Sequence, residues 1–290
     1  MPGMVLAQGK KHEGLVAIED SLVVYLKQLR ASKEKTDLDK YNRKFSELLE
    51  QGLSLKGAFD YPFDSLRIGT IKSPDKAIRL FNWNVELPDE THKYYCFVMR
   101  YDERKKEYNV TKLKDMSHAM YRPEQKSLDA EKWYGAIYYK IIPIVSRGRK
   151  HYTLLGWDGN NKFTTKKIID VMYFSGNNIK FGAPIFKDEK QFKRRVIFEY
   201  SSDVIVSMKY HPAKKKDDPE LVIFDHLSPV NPSMEGMYEF YYPDLSFDAY
   251  KFEGGKWIYV PDVDARTGRS NLDRLYEAPE PPDTLRTGNN

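Results

Sequence analysis

Three short stretches hold the residue types that chemistry uses. "LGWDGNN" carries Asp158 and two asparagines between Gly156 and Asn161. "FDHLSP" sets Asp225 beside His226. "PDVDARTGRSNLD" offers Asp262, Asp264, Asn271 and Asp273. The first invites comparison with a phosphate loop, in which GxxxxGK[ST] wraps phosphates with backbone N–H groups. Here Gly156 and Gly159 stand too close together, and Lys162 does not follow the second glycine. A calcium loop needs oxygen ligands at alternating positions and a later Glu. Asp158 and Asn160 alternate, but the rest of that pattern is missing. The third stretch echoes a calcium loop only weakly: Arg266 stands where an oxygen ligand is wanted, and the glycine comes one place late.

Asp225 and His226 are a carboxylate and an imidazole, the pair used in general acid–base work. Neighbours in a strand point to opposite faces, however, so the two are not aligned with each other. No GxSxG, HExxH or CxxC accompanies them. The other histidines, His12, His92, His118, His151 and His211, lack ligand spacing. Aromatic side chains on a β-surface can also stack on sugars, for which Trp133, Trp157 and Trp257 are candidates; core packing is the simpler use of each. The ligand-binding candidates are therefore Trp157, Asp158, Asp225, His226, Trp257, Asp262 and Asp264. No catalytic residue, metal or cofactor is assigned.

Such residues need a frame. A chain of 290 residues, 41% hydrophobic and 31% charged, buries a sizeable core. Its Tyr and Phe content favours strands. The net charge of +5 comes from interspersed acids and bases. No basic stripe or RNP-like motif points to nucleic acid. Lys214–Lys216 run straight into Asp217 and Asp218, as in a solvated loop. The single cysteine, Cys96, sits in an apolar run and reads as a core residue. No apolar run is long enough for a transmembrane helix.

Residues 1–11 read as the remnant of a signal peptide or as a disordered terminus, because Val5-Leu6-Ala7 before Gln8 resembles a cleavage site. Residues 12–57 read as a helical hairpin. Leu15, Ile18, Leu22, Leu26 and Leu29 make one stripe, and Leu38, Tyr41, Phe45, Leu48 and Leu49 make another. Thr36 with Asp39 resembles a capping box, and Gly52 suits a C-terminal stop. Neither helix can bury its stripe alone, so the pair is expected to pack on the next domain.

Residues 58–276 read as a large antiparallel β-domain. Strand pairs flank "KSPDK", "DERKK", "SRGRK" and "SSD", and Gly254-Gly255 marks a tight hairpin. Val204, Val206, Met208 and Tyr210 alternate with polar residues as a half-buried strand does. "IRLFNWN", "YTLLGWDG" and "LVIFDHL" echo one another, each read as an apolar strand ending in a turn. They predict repeated β-units in a double-sheet or propeller-like hairpin array. After Trp157, Thr164 or Thr165 is expected to cap a short helix carrying Ile168, Ile169, Val171 and Met172. Residues 277–290 are expected to be a disordered tail. The fold class expected is α+β, mainly β.

"WYGAIYYKIIP", "YTLLGWDGNN", "KKIIDVMYF", "RRVIFEYS", "LVIFDHLSP" and "GGKWIYVPDVDAR" resemble, in order, the blocks of an uncharacterised family of secreted proteins from bacteroidete bacteria. The resemblance covers roughly Trp133 to Arg266. It implies an exported protein and brings no activity, cofactor or functional residue. The expected function is a non-catalytic periplasmic or cell-envelope protein that binds a protein or glycan partner through its β-surface. The alternative is a hydrolase of envelope or other polymers using carboxylates at strand ends, such as Asp225 and Asp262.

Overall fold

A computed structural model describes residues 13–188, 191–215 and 218–264. The signal-peptide reading at Val5–Gln8 and the tail from Glu277 lie outside the described residues. Helices α1 (Glu13–Ala31) and α2 (Lys35–Leu53) form the hairpin. Among the described residues sixteen strands come after them. Sheet 1 contains β1 (Gly69–Lys72), β2 (Ile78–Glu86), β3 (His92–Asp102) and β4 (Glu107–Lys114), in that order. Sheet 2 is built from β5 (Leu128–Asp129), β6 (Ile137–Ser146), β7 (Arg149–Asp158), β8 (Thr164–Ser175) and β9 (Asn178–Phe181), in the order β5-β9-β8-β7-β6. Sheet 3 contains β10 (Phe186–Lys187) and β11 (Phe192–Lys193); β12 (Val196–Ser201) instead joins sheet 2 by pairing with β8. The rest of sheet 3 is β13 (Met208–His211), β14 (Glu220–Pro229), β15 (Tyr241–Glu253) and β16 (Lys256–Val260), giving the order β11-β10-β16-β15-β14-β13.

These elements stack as helices, sheet 1, sheet 2 and sheet 3. Strand alternation dictates the order. Phe81, Trp83 and Val85 point to one side of β2 and join Leu22, Leu26, Phe45 and Leu49 of the helices. Ile78 and Leu80 point to the other side and join Tyr138, Leu154, Ile168 and Met172 of sheet 2. Leu155, Ile169 and Val171 use the opposite face of sheet 2 to meet Val222, Phe224, Tyr250 and Trp257. Sheets 1 and 2 are thus covered on both faces, and β2 and β7 are buried along most of their length. The hairpin helices pack on this stack through their two stripes.

The echo in the sequence marks one strand of each sheet: β2, β7 and β14. The fold is α+β and mainly β, the helical hairpin packed on an antiparallel array arranged as three stacked sheets. Its described strands pair antiparallel except where β10 runs parallel to β16, Phe186 opposite Trp257, and an isolated parallel bridge joins Asp115 to Trp133. "IRLFNWN" does not end in a turn. The strand continues to Glu86, and Asn82 and Asn84 lie inside it.

Several local expectations change. The segment after Asn161 is not a helix but the twelve-residue strand β8, which pairs with β7, β9 and β12. Its β-branched residues fit a doubly covered strand better than a helix. The segments around "SSD" do not pair with each other: β12 joins β8 and β13 joins β14. Val204 and Val206 precede β13 rather than belonging to it. Glu34, not Thr36, is the N-cap of α2, with no side-chain cap, and Asp39 pairs instead with Lys35 at 2.6 Å. Gly52 lies within α2, where a Cβ would approach Ile18 Cγ2 to 2.9 Å, so its role is close helix contact. Gly254 and Gly255 do turn the β15–β16 hairpin, at φ 57° and 75°.

Buried polar groups pin the layers together. Arg79 donates to the carbonyls of Ala58, Phe59, Tyr61 and Pro62, fixing the loop after the helices to sheet 1. Asp75 accepts from Lys150 Nζ at 3.0 Å and from the Tyr152 hydroxyl at 2.9 Å, tying sheet 1 to sheet 2. Cys96 is buried, and burial pushes its thiol pKa up, so it stays protonated in the core.

Candidate binding cleft

A cleft of about 640 Å³ opens where the helices, sheet 1 and sheet 2 meet. That volume is within the range of ordinary ligand sites. The C-terminal end of α1 supplies Leu26, Leu29 and Arg30. The segment entering β1 supplies Arg67, Ile68 and Gly69, and β2 supplies Asn82 to Glu86. Ile137 and Trp157, directly paired across β6 and β7, face it from sheet 2.

The register of sheet 1 explains why a hollow exists there. β3 pairs with all of β2, from Ile78 to Glu86. β1 pairs only with Arg79 to Asn82, and its first residue, Gly69, lies opposite Asn82. Ahead of Gly69 the chain turns away toward α1, where the Arg30 guanidinium donates to the Arg67 carbonyl. A wedge opens between the diverging segments.

Asn82 sits where the wedge begins and is fully buried. Its amide nitrogen donates to the Gly69 carbonyl at 3.1 Å and the Tyr138 carbonyl at 3.4 Å. Two carbonyls as neighbours fix the amide orientation, since only the NH₂ end can donate. Oδ1 is left without a donor. A buried unpaired acceptor costs roughly 1–3 kcal/mol. Asn84, two residues on, donates to His92 Nδ1 at 3.0 Å. Burial lowers the His92 pKa, which keeps the ring neutral as an acceptor.

Trp157 is held from behind by the "WDGNN" stretch. Asp158 is buried, and its Oδ1 accepts from the Tyr94 hydroxyl and from the Asn160 N–H, each at 2.7 Å. The Tyr94 hydroxyl in turn accepts from the Gly159 N–H at 2.7 Å. Asn160, Thr164, Lys166 and Glu199 complete the network. Burial raises the Asp158 pKa, against the hydrogen bonds that lower it. Asp158 Oδ1, Asn160 Oδ1 and Asn161 Oδ1 each accept a hydrogen bond from within the protein. The stretch is a hairpin turn, and its link to the cleft is mechanical: it places Trp157.

The charges of the cleft are separated by element. Arg30 comes from α1, Lys33 from the link between the helices and Arg67 from the segment before β1, whereas Glu86 and Glu90 come from the end of β2 and the turn after it.

The other candidates lie elsewhere. Trp257 is fully buried between sheets 2 and 3, its indole N–H donating to Thr153 Oγ1 at 2.8 Å, so it is a core residue. Trp133 is likewise buried, bonded to the Tyr138 hydroxyl. Asp225 and His226 are not bonded to each other and engage different partners. Asp225 accepts from the Ser207 N–H at 2.7 Å. His226 Nδ1 meets the buried Asp248 at 2.7 Å, and Asp248 also accepts from the Tyr259 hydroxyl at 2.6 Å and the Asp262 N–H at 3.1 Å.

This last cluster sits at a wide bulge. Asp225 opposes Phe247 but Leu227 opposes Pro243, so Asp244, Leu245 and Ser246 face the single residue His226. A buried carboxylate orienting an imidazole is a general-base arrangement. Here the outer nitrogen, Nε2, faces Asp244 at 3.8 Å, and the nearby Ser246 hydroxyl donates to Asp244 at 2.7 Å rather than to the ring. The geometry is an ion-pair clamp, not a nucleophile–base pair. The hydrogen bond to Asp248 raises the His226 pKa, against the effect of burial. Asp262 contributes its backbone, and Asp264 is exposed at the end of the described chain. Asn271 and Asp273 lie outside the described residues. Among the described residues no three His, Cys, Asp or Glu side chains are grouped to hold a metal ion.

Asn82, Asn84, Arg30, Arg67 and Ile137 were missed by sequence reasoning. The usable signal was a pair of amides at alternate positions inside an otherwise apolar strand, "LFNWNV". Among the described residues no helix is long and apolar enough to cross a membrane. Compared with known proteins, the chain matches no family model, no curated protein and no solved structure.

Proposed function

We propose that this is a non-catalytic, exported envelope or periplasmic protein that binds its ligand in the cleft between the helical hairpin and sheets 1 and 2. The observation that carries the binding reading is Asn82: a fully buried amide with an unpaired acceptor, on the floor of a cleft of about 640 Å³. The walls of the cleft mix Leu26, Leu29, Ile137 and Trp157 with amide and charged side chains that can fix a ligand's orientation. Export rests on the Val5-Leu6-Ala7 signal and on the family resemblance. The hydrolase alternative finds its best support in His226 and Asp248, but Asp244 occupies the side a substrate would need.

Thermal-shift screening against short peptides and oligosaccharides tests the cleft. Ligands should raise the melting temperature of the parent, because a ligand that binds only the folded state must do so. The shift should vanish in Trp157→Ala. Shifts that survive Trp157→Ala would place binding elsewhere. For export, host fractionation with N-terminal sequencing should find the processed chain outside the cytosol; a cytosolic chain retaining Met1 would refute it.

A further inference from the structure

We infer that the ligand of this cleft is an extended polypeptide segment that pairs with β2 along Trp83–Glu86, continuing the line of β1. The inference rests on the cleft reading above and adds the chemical class of the ligand.

The length mismatch in sheet 1 is the first observation. β2 is nine residues long, and β1 covers only its first half. Among the described residues no strand pairs with Trp83–Glu86 on the β1 side. In a regular antiparallel ladder, residues alternate in the edge to which they send N–H and C=O. The β2–β3 register runs without a shift, so two of these four residues send both groups toward the wedge. They form an open edge about 13 Å long, at roughly 3.3 Å per residue. The cleft runs along that edge.

The second observation is Asn82 Oδ1. It lacks a donor at the point where β1 stops. A peptide N–H entering beside Gly69 supplies one. A strand added here also explains the two unlike walls. Its side chains alternate between faces, one set meeting Leu26 and Leu29, the other Ile137 and Trp157.

Charge narrows the segment further. Arg30, Lys33 and Arg67 favour an acidic residue in the peptide, and Glu86 with Glu90 favours a basic one. Glycans would use Trp157 and the asparagines but have no use for a backbone ladder edge.

The test uses the full chain and a displayed library of linear eight-residue peptides. Peptides retained by the parent and lost by Trp157→Ala are synthesised. Each is then N-methylated at one backbone position at a time. Strand pairing predicts alternation: methylation at every second residue of a four-residue core should weaken binding at least about tenfold, and the positions between should change little. Hydrogen exchange of the unmodified protein should slow within Trp83–Glu86 when peptide is bound. Uniform tolerance of N-methylation, or protection confined to other strands, would overturn the inference. If only oligosaccharides bind in a Trp157-dependent way, the cleft stands and the peptide inference falls. If neither class gives Trp157-dependent binding, both fall.

Discussion

Gly159→Ala should disturb both stability and the cleft, for a steric reason that can be measured. Gly159 does not have a left-handed φ, so alanine meets no backbone penalty there. The obstacle is space. A Cβ at this position would lie 2.4 Å from His92 Nε2, 2.5 Å from His92 Cδ2 and 2.8 Å from Trp157 Cη2. Overpacking of this kind costs about 1–3 kcal/mol. A displaced His92 also gives up its hydrogen bond with Asn84, worth about 1 kcal/mol. The total is about 2–4 kcal/mol. At about 2–4 °C per kcal/mol for a domain of this size class, the melting temperature should fall by about 4–16 °C. A double-mutant cycle with His92→Ala isolates the cause. Two of the three close contacts vanish in that background, so the two changes should couple by about 1–2 kcal/mol. A fall under about 2 °C, or an equal fall in the His92→Ala background, would show that the turn has slack that these distances deny.

Two further outcomes concern buried charge and pH. Asp170 and Arg195 are both fully buried, joined at 3.0 Å, with Arg195 also donating to the Pro123 and Lys126 carbonyls. Asp170→Asn leaves that guanidinium uncompensated and should cost about 3–5 kcal/mol in calorimetry; a cost under about 1 kcal/mol would mean the carbonyls alone suffice. His226 faces Asp248 and Asp244, with Tyr259 and the Asp262 N–H on Asp248. Its folded pKa lies above the ordinary value near 6.5, so its stabilisation is complete below about pH 6.5 and is lost as pH rises through the folded pKa. An NMR titration should place the imidazole above 6.5, and His226→Gln should remove that part of the pH dependence. A midpoint at or below 6.5 would refute the clamp.

Much of the frame was legible because burial writes directly into residue order. The two leucine stripes located the helices, and four of five predicted strand pairs form. Legibility failed where tertiary contact overrides local pattern. "TTKKIIDVMYF" carries apolar residues that suit either period, and only burial on both faces of sheet 2 decides for a strand. The pairing of β12 with β8 rather than β13 is a long-range choice no turn sequence encodes. The cleft was invisible for the same reason. It depends on where β1 stops relative to β2, a matter of register rather than composition.

That register also accounts for the position of the cleft. With sheets 1 and 2 covered on both faces, no sheet face there is left to bind anything. What remains is an edge. Natural sheets guard edges with short strands, charges or covering elements, because unpaired N–H and C=O groups recruit other chains. Here the open part of β2 is flanked by α1 on one side and by Ile137 and Trp157 on the other. Those walls limit entry to something thin and extended, which protects the edge from whole sheets of other molecules while leaving it available to one strand. The short β1 thus does two jobs at once: it closes half of the β2 edge and leaves the other half as a slot whose length, walls and unpaired acceptor all match a single peptide segment.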